Sequence, residues 1–286
     1  MNSIKKISTA VYTPDSMLRK PGKMIGDMFK DIAKSRELAW RLFVRNISAM
    51  YRQTMLGYFW AFLPPVATTL TFVFLNKQNI LSVGETDIPY PVYVMVGTLL
   101  WQVFVDAMNS PLKLVTSSKA MLAKIKFPRE SLIMAGVYEV LFNFAIRLIL
   151  LAGVMIWFRV ELPLTAIYAP FGIIALIMLG LMFGILLTPL GVLYQDIEKG
   201  LLMIISVWFF LTPVVYPSPT SFPANLISKL NPVSPLLITT RELITTGNIS
   251  DLFSFLIVAG ISLILIFLGW IIYRVAMPHL IVRMGA

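Results

Sequence analysis

Three ionisable side chains, Asp106, Glu139 and Arg147, sit in stretches of sequence that are otherwise apolar. Charges at membrane depth normally pair with one another or face a polar cavity. Glu139 and Arg147 are eight residues apart, near one face of a helix. That spacing points to a structural ion pair, made directly or through another helix, with a role in lining a translocation path as the second reading. A proton relay needs several acidic groups in mid-span, and this chain offers one convincing candidate.

Residue types exclude most other chemistry. Cysteine is absent and His279 is the one histidine, which rules out a disulfide scaffold, a cysteine nucleophile, thiolate or iron–sulfur sites and histidine-cluster metal centres. Gly22-Lys23 lacks the upstream glycine and the following Ser or Thr of a phosphate-binding loop, so the chain shows no means of using ATP by itself and no cofactor site. Asp196 and Glu198 lie in a short loop without membrane-depth companions, a weak basis for an enzyme.

The elements that position these groups are set by composition. Of 286 residues, 58% are hydrophobic and 13% charged, half the charge of a typical soluble domain. The reading is an all-α integral membrane protein. A span needs roughly 20 apolar residues, and six stretches qualify or nearly so: 58–75, 92–108, 132–158, 164–193, 201–216 and 252–273. Pro64 and Pro65 should kink the first or mark where it enters the bilayer. Eleven basic residues fall in the first 57, where no apolar run resembles a signal-peptide core, so no cleaved leader is expected. More follow in the loop after the second span, whereas the other side has only Lys77, Arg159, Lys229 and Arg241. The positive-inside rule places both termini in the cytoplasm. The net charge of +10 then reflects cytoplasmic loops and anionic lipid headgroups, with no nucleic-acid partner expected.

Residues 1–57 are read as a cytoplasmic extension and amphipathic interface helix, and 58–286 as the six-span domain. In the interface helix Met28, Phe29, Ile32, Leu38, Leu42, Phe43 and Ile47 recur at helical spacing between Lys30, Lys34, Arg41, Arg45 and Arg52. Such a helix lies in the membrane interface, as an anchor, a lateral gate or a docking surface. In the loop "KLVTSSKAMLAKIKFPRES" (113–131), Ser117 or Ser118 can cap a short helix with an apolar stripe of Met121, Leu122 and Ile125, stopped by Pro128. That is an apolar knob for a groove on another protein, or an ordinary cytoplasmic loop. The proline-rich region of about 217–247 keeps apolar runs too short to span, which fits short re-entrant helices between spans five and six. Tyr58, Phe59, Trp60, Trp101 and Phe142 could belong to interfacial belts or face a pore, where rings stack on sugars.

Several segments together resemble the ABC-type polysaccharide export permeases, the membrane subunits that export O-antigen, capsule and teichoic-acid chains. "WRLFVRNISAMYRQTMLGYFWAFLPP" (40–65) is similar to that family's amphipathic helix, Leu-Gly pair, Trp and proline, here Tyr51, Arg52, Leu56, Gly57, Trp60 and Pro64. "KIKFPRES" (124–131) resembles its Phe-Pro loop. "YQDIEKG" (194–200) resembles its fourth–fifth loop, with Gln195 where Arg is usual. "TPVVYP" (212–217) and "LNPVSPLLITTREL" (230–243) resemble its re-entrant region, with Asn231 and Arg241. The resemblance implies a homodimer with a channel between subunits in the inner membrane. It implies a separate ATP-binding cassette subunit that holds ATP and magnesium, and a lipid-linked polysaccharide, most readily O-antigen, as cargo. Arg41, Arg45 and Arg52 would meet the lipid head, and Ser118, Met121, Leu122 and Ile125 would couple ATP use to the spans. The rival readings are an exporter of small molecules or lipids, a membrane glycan polymerase or ligase, and a proton-coupled flippase.

Overall fold

The computed structural model of the chain describes residues 21–284, apart from 53, 56, 81, 82 and 126. Most of the expected N-terminal extension, with Lys5, Lys6, Arg19 and Lys20, lies outside the described residues. Among those described, all regular structure is helical. Four helices are long and apolar enough to cross a bilayer: α3 (Tyr90–Ser117), α5 (Glu130–Trp157), α6 (Ala169–Leu193, preceded by a 3-10 turn at Leu164–Tyr168) and α10 (Leu252–Met284).

The first and fifth expected spans are shorter. Helix α2 (Leu63–Lys77) has 15 residues and α7 (Asp196–Leu211) has 16, about 22–24 Å at 1.5 Å each against a hydrocarbon core of roughly 30 Å. Pro64 and Pro65 do not kink α2. They occupy its first turn, where a missing N–H costs nothing. Before it, a 3-10 turn at Gly57–Ala61 makes the corner from the N-terminal helix, with Gly57 at φ +51°, a backbone region that a side chain would strain.

The N-terminal segment forms one helix, α1 (Pro21–Arg52), laid along α5. A six-residue helix, α4 (Lys119–Lys124), bridges α3 and α5 and packs on α3 and α10. On the other side, α8 (Ala224–Leu230) and α9 (Val233–Thr245) form the two short helices expected there. Asp251 caps α10 by accepting from the Ser254 N–H at 2.9 Å, and hydrogen bonds from Ser254 hold its carboxyl below the usual carboxylate range.

Helix α3 is the centre of the bundle, with Val92, Val96, Leu99, Val103, Phe104 and Ala107 all buried, and it packs against α2, α5, α6 and α9. Its closest neighbour is α6, through the sequence Gly-Leu-Met-Phe-Gly at 180–184. A Cβ at Gly180 would strike the Phe104 carbonyl and Ala107, and one at Gly184 the Met108 carbonyl and the Pro111 ring. Small residues four apart let two backbones approach where no water drives association. Conversely, α10 exposes Phe253, Leu256, Ile257, Leu263 and Ile264, a surface suited to hydrocarbon and costly in water.

Candidate functional site

The charged groups at membrane depth form a two-rung ladder between antiparallel helices. On α3, Asp106 and Lys113 are seven residues apart; on α5, Arg147 and Glu139 are eight apart, so each pair shares a face. The Arg147 guanidinium donates to Asp106 Oδ2 at 2.7 Å, and Lys113 Nζ lies 3.5 Å from Glu139 Oε2. The expected pairing of Glu139 with Arg147 is therefore corrected. Eight residues of one helix separate them by about 12 Å along the axis, too far to bridge directly, and each finds its counter-charge on α3. The second Glu139 oxygen accepts from Asn46 Nδ2 at 2.9 Å, so the outer rung also fastens α1.

Helix α1 carries three faces. Met28, Ser35, Ala39, Leu42 and Phe43 are buried. Arg41, Arg45 and Arg52 fall within about 40° of one another at 100° per residue, and Lys30 and Lys34 continue the stripe, all exposed. Arg41 is engaged by Glu37 one turn away at 2.6 Å and Arg45 by the neighbouring Asn46, surface contacts of small energetic weight. Between these faces lies an exposed apolar strip with Phe29, Trp40 and Val44. Trp40, Phe43, Val44, Ile47 and Ser48 of α1 and Tyr138, Leu141 and Phe142 of α5 line an open groove of about 540 Å³, in which Phe43 meets Tyr138 and Phe142 edge to face.

Of the expected channel aromatics, Phe142 lines that groove, and Phe59 and Trp60 are exposed at the α1–α2 corner. The Tyr58 side chain, like that of Tyr51, lies outside the described residues. Trp101 is a correction: it is 3% exposed, packed against Phe104, Trp208 and Phe209. Edge-to-face rings stabilise the junction of α3 and α7, so Trp101 offers no face to a passing sugar.

The apolar knob is revised in the same way. Ser118 holds the N-cap position of α4, but its hydroxyl makes no capping bond and is buried. Leu122 is 6% exposed, within this chain's own core, and Met121 is partly buried against it. Ile125, at 59% exposed, is the large apolar side chain that points away, beside exposed Ala120, Ala123 and Lys124. The outward surface of α4 is thus small and shallow, with one projecting isoleucine.

On the opposite side Asn231 and Arg241, expected in a re-entrant region, are staples. Asn231 accepts from Trp208 Nε1 at 2.9 Å and the Val233 N–H at 3.0 Å, and donates to Thr212 Oγ1 at 2.7 Å, joining the end of α7 to the start of α9. Arg241 is buried, donating to the carbonyls of Pro213 at 3.1 Å and Val214 at 2.5 Å. Its guanidinium stacks over Tyr93, 3.9 Å from the ring centroid. Buried cations of this kind hold fixed backbone geometry through charge-assisted bonds.

A further cluster escaped the sequence reading. Arg274 of α10 donates to Asp31 of α1 at 2.5 Å and to Glu130 of α5 at 2.7 Å. Nothing in the linear spacing of 31, 130 and 274 signals it.

Comparison with known proteins follows this architecture. Residues 37–245 match the family described as ABC-2 type transporter. The chain is 24% identical over 246 residues to the O-antigen export system permease protein RfbA of Myxococcus xanthus, covering 84% of this chain and 92% of that protein. It is 23% identical over 225 residues to a protein of the same name from Klebsiella pneumoniae, covering 77% and 85%. It is 24% identical over 244 residues to the polysialic acid transport protein KpsM of Escherichia coli, covering 82% and 91%. The family match takes in α2 to α9 entire, with the ladder, the groove and the buried Arg147 and Arg241 among its residues. This multi-pass helical chain belongs to the ABC-2 type transporter family.

Proposed function

We propose that this chain is the permease half of an ATP-driven exporter of lipid-linked polysaccharide in the inner membrane, with both termini cytoplasmic. Two copies of the chain enclose the path, α2 and α7 complete six spans per copy, and ATP is bound and hydrolysed by a separate ATP-binding cassette subunit. The carrying observation is the triple-faced α1. One face is packed on α5, one presents aromatic and aliphatic side chains, and one presents a row of guanidinium and ammonium groups. A helix so divided suits the plane of the bilayer interface, where Arg41, Arg45 and Arg52 can meet a lipid pyrophosphate through charge-assisted contacts. The names of the relatives, O-antigen export and polysialic acid transport, favour a glycan cargo over drugs or small lipids, and O-antigen is the glycan proposed.

The test is reconstitution. The chain is expected to co-purify with an ATP-binding subunit, and vesicles holding both should move a labelled lipid-linked glycan on ATP addition. Hydrolysis of ATP by the chain alone, or full transport without a companion, would overturn the reading.

Helix α4 is the proposed contact with that subunit, and the inward turn of Leu122 separates two outcomes. Ile125→Asp should leave a folded chain whose recovery of the ATP-binding subunit in pull-downs falls about tenfold, from a charge placed in an apolar contact. Leu122→Asp should lower the yield of folded protein itself, since that charge enters the chain's own core. Equal co-purification by the Ile125→Asp variant and the parent chain would remove α4 as the docking element.

A further inference from the structure

Helix α1 lies broadly on α5, and two side-chain contacts in its N-terminal third carry it across to α10. Phe29 meets Trp270 edge to face at 5.7 Å, and Asp31 accepts from Arg274 at 2.5 Å. The other arm of the same guanidinium holds Glu130 at 2.7 Å, the first residue of α5, reached from α4 by a five-residue connection. Helix α4 itself packs on α10. Arg274 is thus the point where α1, the α4–α5 connection and α10 meet, and its side chain is 14% exposed.

One guanidinium faces two carboxylates. The two arms differ: Glu130 has a side chain 7% exposed, whereas Asp31, at 27%, sits nearer solvent. Release of Asp31 leaves a complete Arg274–Glu130 pair and returns one carboxylate to water, a cheaper step than breaking the inner arm. Among the described residues, buried Ser35 Oγ of α1 and Trp270 Nε1 of α10, beside Phe29, have no hydrogen-bond partner. Solvation of such groups as α1 moves away offsets part of the cost of separating the helices.

We propose that Arg274 is a positioning residue, a releasable tie between the interface helix and the corner that bears α4. Movement of α4 and α10 breaks the Asp31 arm and frees the N-terminal part of α1, while the Glu130 arm keeps α5 and α10 together. This rests on the reading of α4 as the contact with the ATP-binding subunit.

The absence of native cysteine makes a single introduced thiol a clean reporter. Ser35→Cys lies on the packed face of α1, at 0% exposed, and is expected to resist a charged maleimide in the resting complex. With Arg274→Gln added, its labelling without nucleotide should rise about tenfold, as for a local opening made easier by 1.4 kcal/mol, and Arg274→Lys should restore most of the protection. In the parent complex ATP should produce a similar rise. Ser234→Cys, buried in α9 at 1%, must stay protected throughout, which separates local release from general loosening. Should Arg274→Gln expose that control site, Asp31→Asn replaces it, since it cuts the α1 arm alone. Unchanged Ser35→Cys labelling on cutting the tie, with the control protected, overturns the proposal, as does labelling indifferent to ATP in a complex that transports. Failure to form a complex counts against the functional reading alone, because the nucleotide-free comparison stands without it.

Discussion

Replacement of Arg147 by methionine is expected to cost about 3 kcal/mol or more of stability, because it strands Asp106 at membrane depth without its counter-charge. The Arg147 side chain is 8% exposed and that of Asp106 24%, and Asp106 accepts from Arg147 at 2.7 Å, so each group is the other's main compensation at this depth. Asp106→Asn alone should also destabilise, through the unpaired guanidinium. The double variant Arg147→Met with Asp106→Leu should recover most of the loss, since a buried ion pair exchanged for packed apolar groups is often neutral. Thermal unfolding in detergent, read as a double-mutant cycle, checks this: additive losses would show that the two side chains do not act as a pair. Glu139→Gln should cost less, because its partner Lys113 is half exposed and can turn to water although Glu139 itself is buried, and its effect should appear in the seating of α1 through Asn46.

The second large effect is steric. Gly180→Leu or Gly184→Leu is expected to prevent folding of the bundle, where Ala at either site should give a reduced yield. Even the first added carbon meets the backbone carbonyl of Phe104 or Met108, and a carbonyl in a central helix cannot turn aside as a flexible side chain can. Overpacking ordinarily costs about 1–3 kcal/mol, and here the helix pair would have to separate along its length. Gly153→Leu is the matched control, with open space around its Cβ position. Monodisperse protein recovered after extraction is the measure, and equal recovery of Gly184→Leu and Gly153→Leu would refute the close-approach account.

Much of this architecture was legible in the sequence because hydropathy and proline placement act locally. The long apolar helices, the two short helices of the 217–247 region and the helix of α1 all follow from residues near one another along the chain. What escaped depends on which helices become neighbours. Arg147 and Glu139 read as a pair because they share a face of α5, and their true partners are fixed by the register of α3. The Arg274 cluster was hidden because a count of charges carries no information about which carboxylates on α1 and α5 a basic residue of α10 will meet. Trp101 has the same composition signal whether it packs in a core or faces a pore. Six residues of α4 are too few for an apolar stripe to say which side is inward, so Leu122 and Ile125 could not be told apart. The Gly-Leu-Met-Phe-Gly run at 180–184 was an available signal for the closest helix contact and went unread.

The ladder between α3 and α5 bears on how the chain is made. Asp106 leaves the ribosome 41 residues ahead of Arg147, so α3 first meets lipid carrying a lone carboxylate, a penalty of roughly 2.5–3.5 kcal/mol at mid-bilayer on insertion scales. Helix α3 is therefore expected to wait beside the translocon until α5 arrives, and the two to enter the bilayer as a neutralised hairpin, with the α4 turn already folded between them.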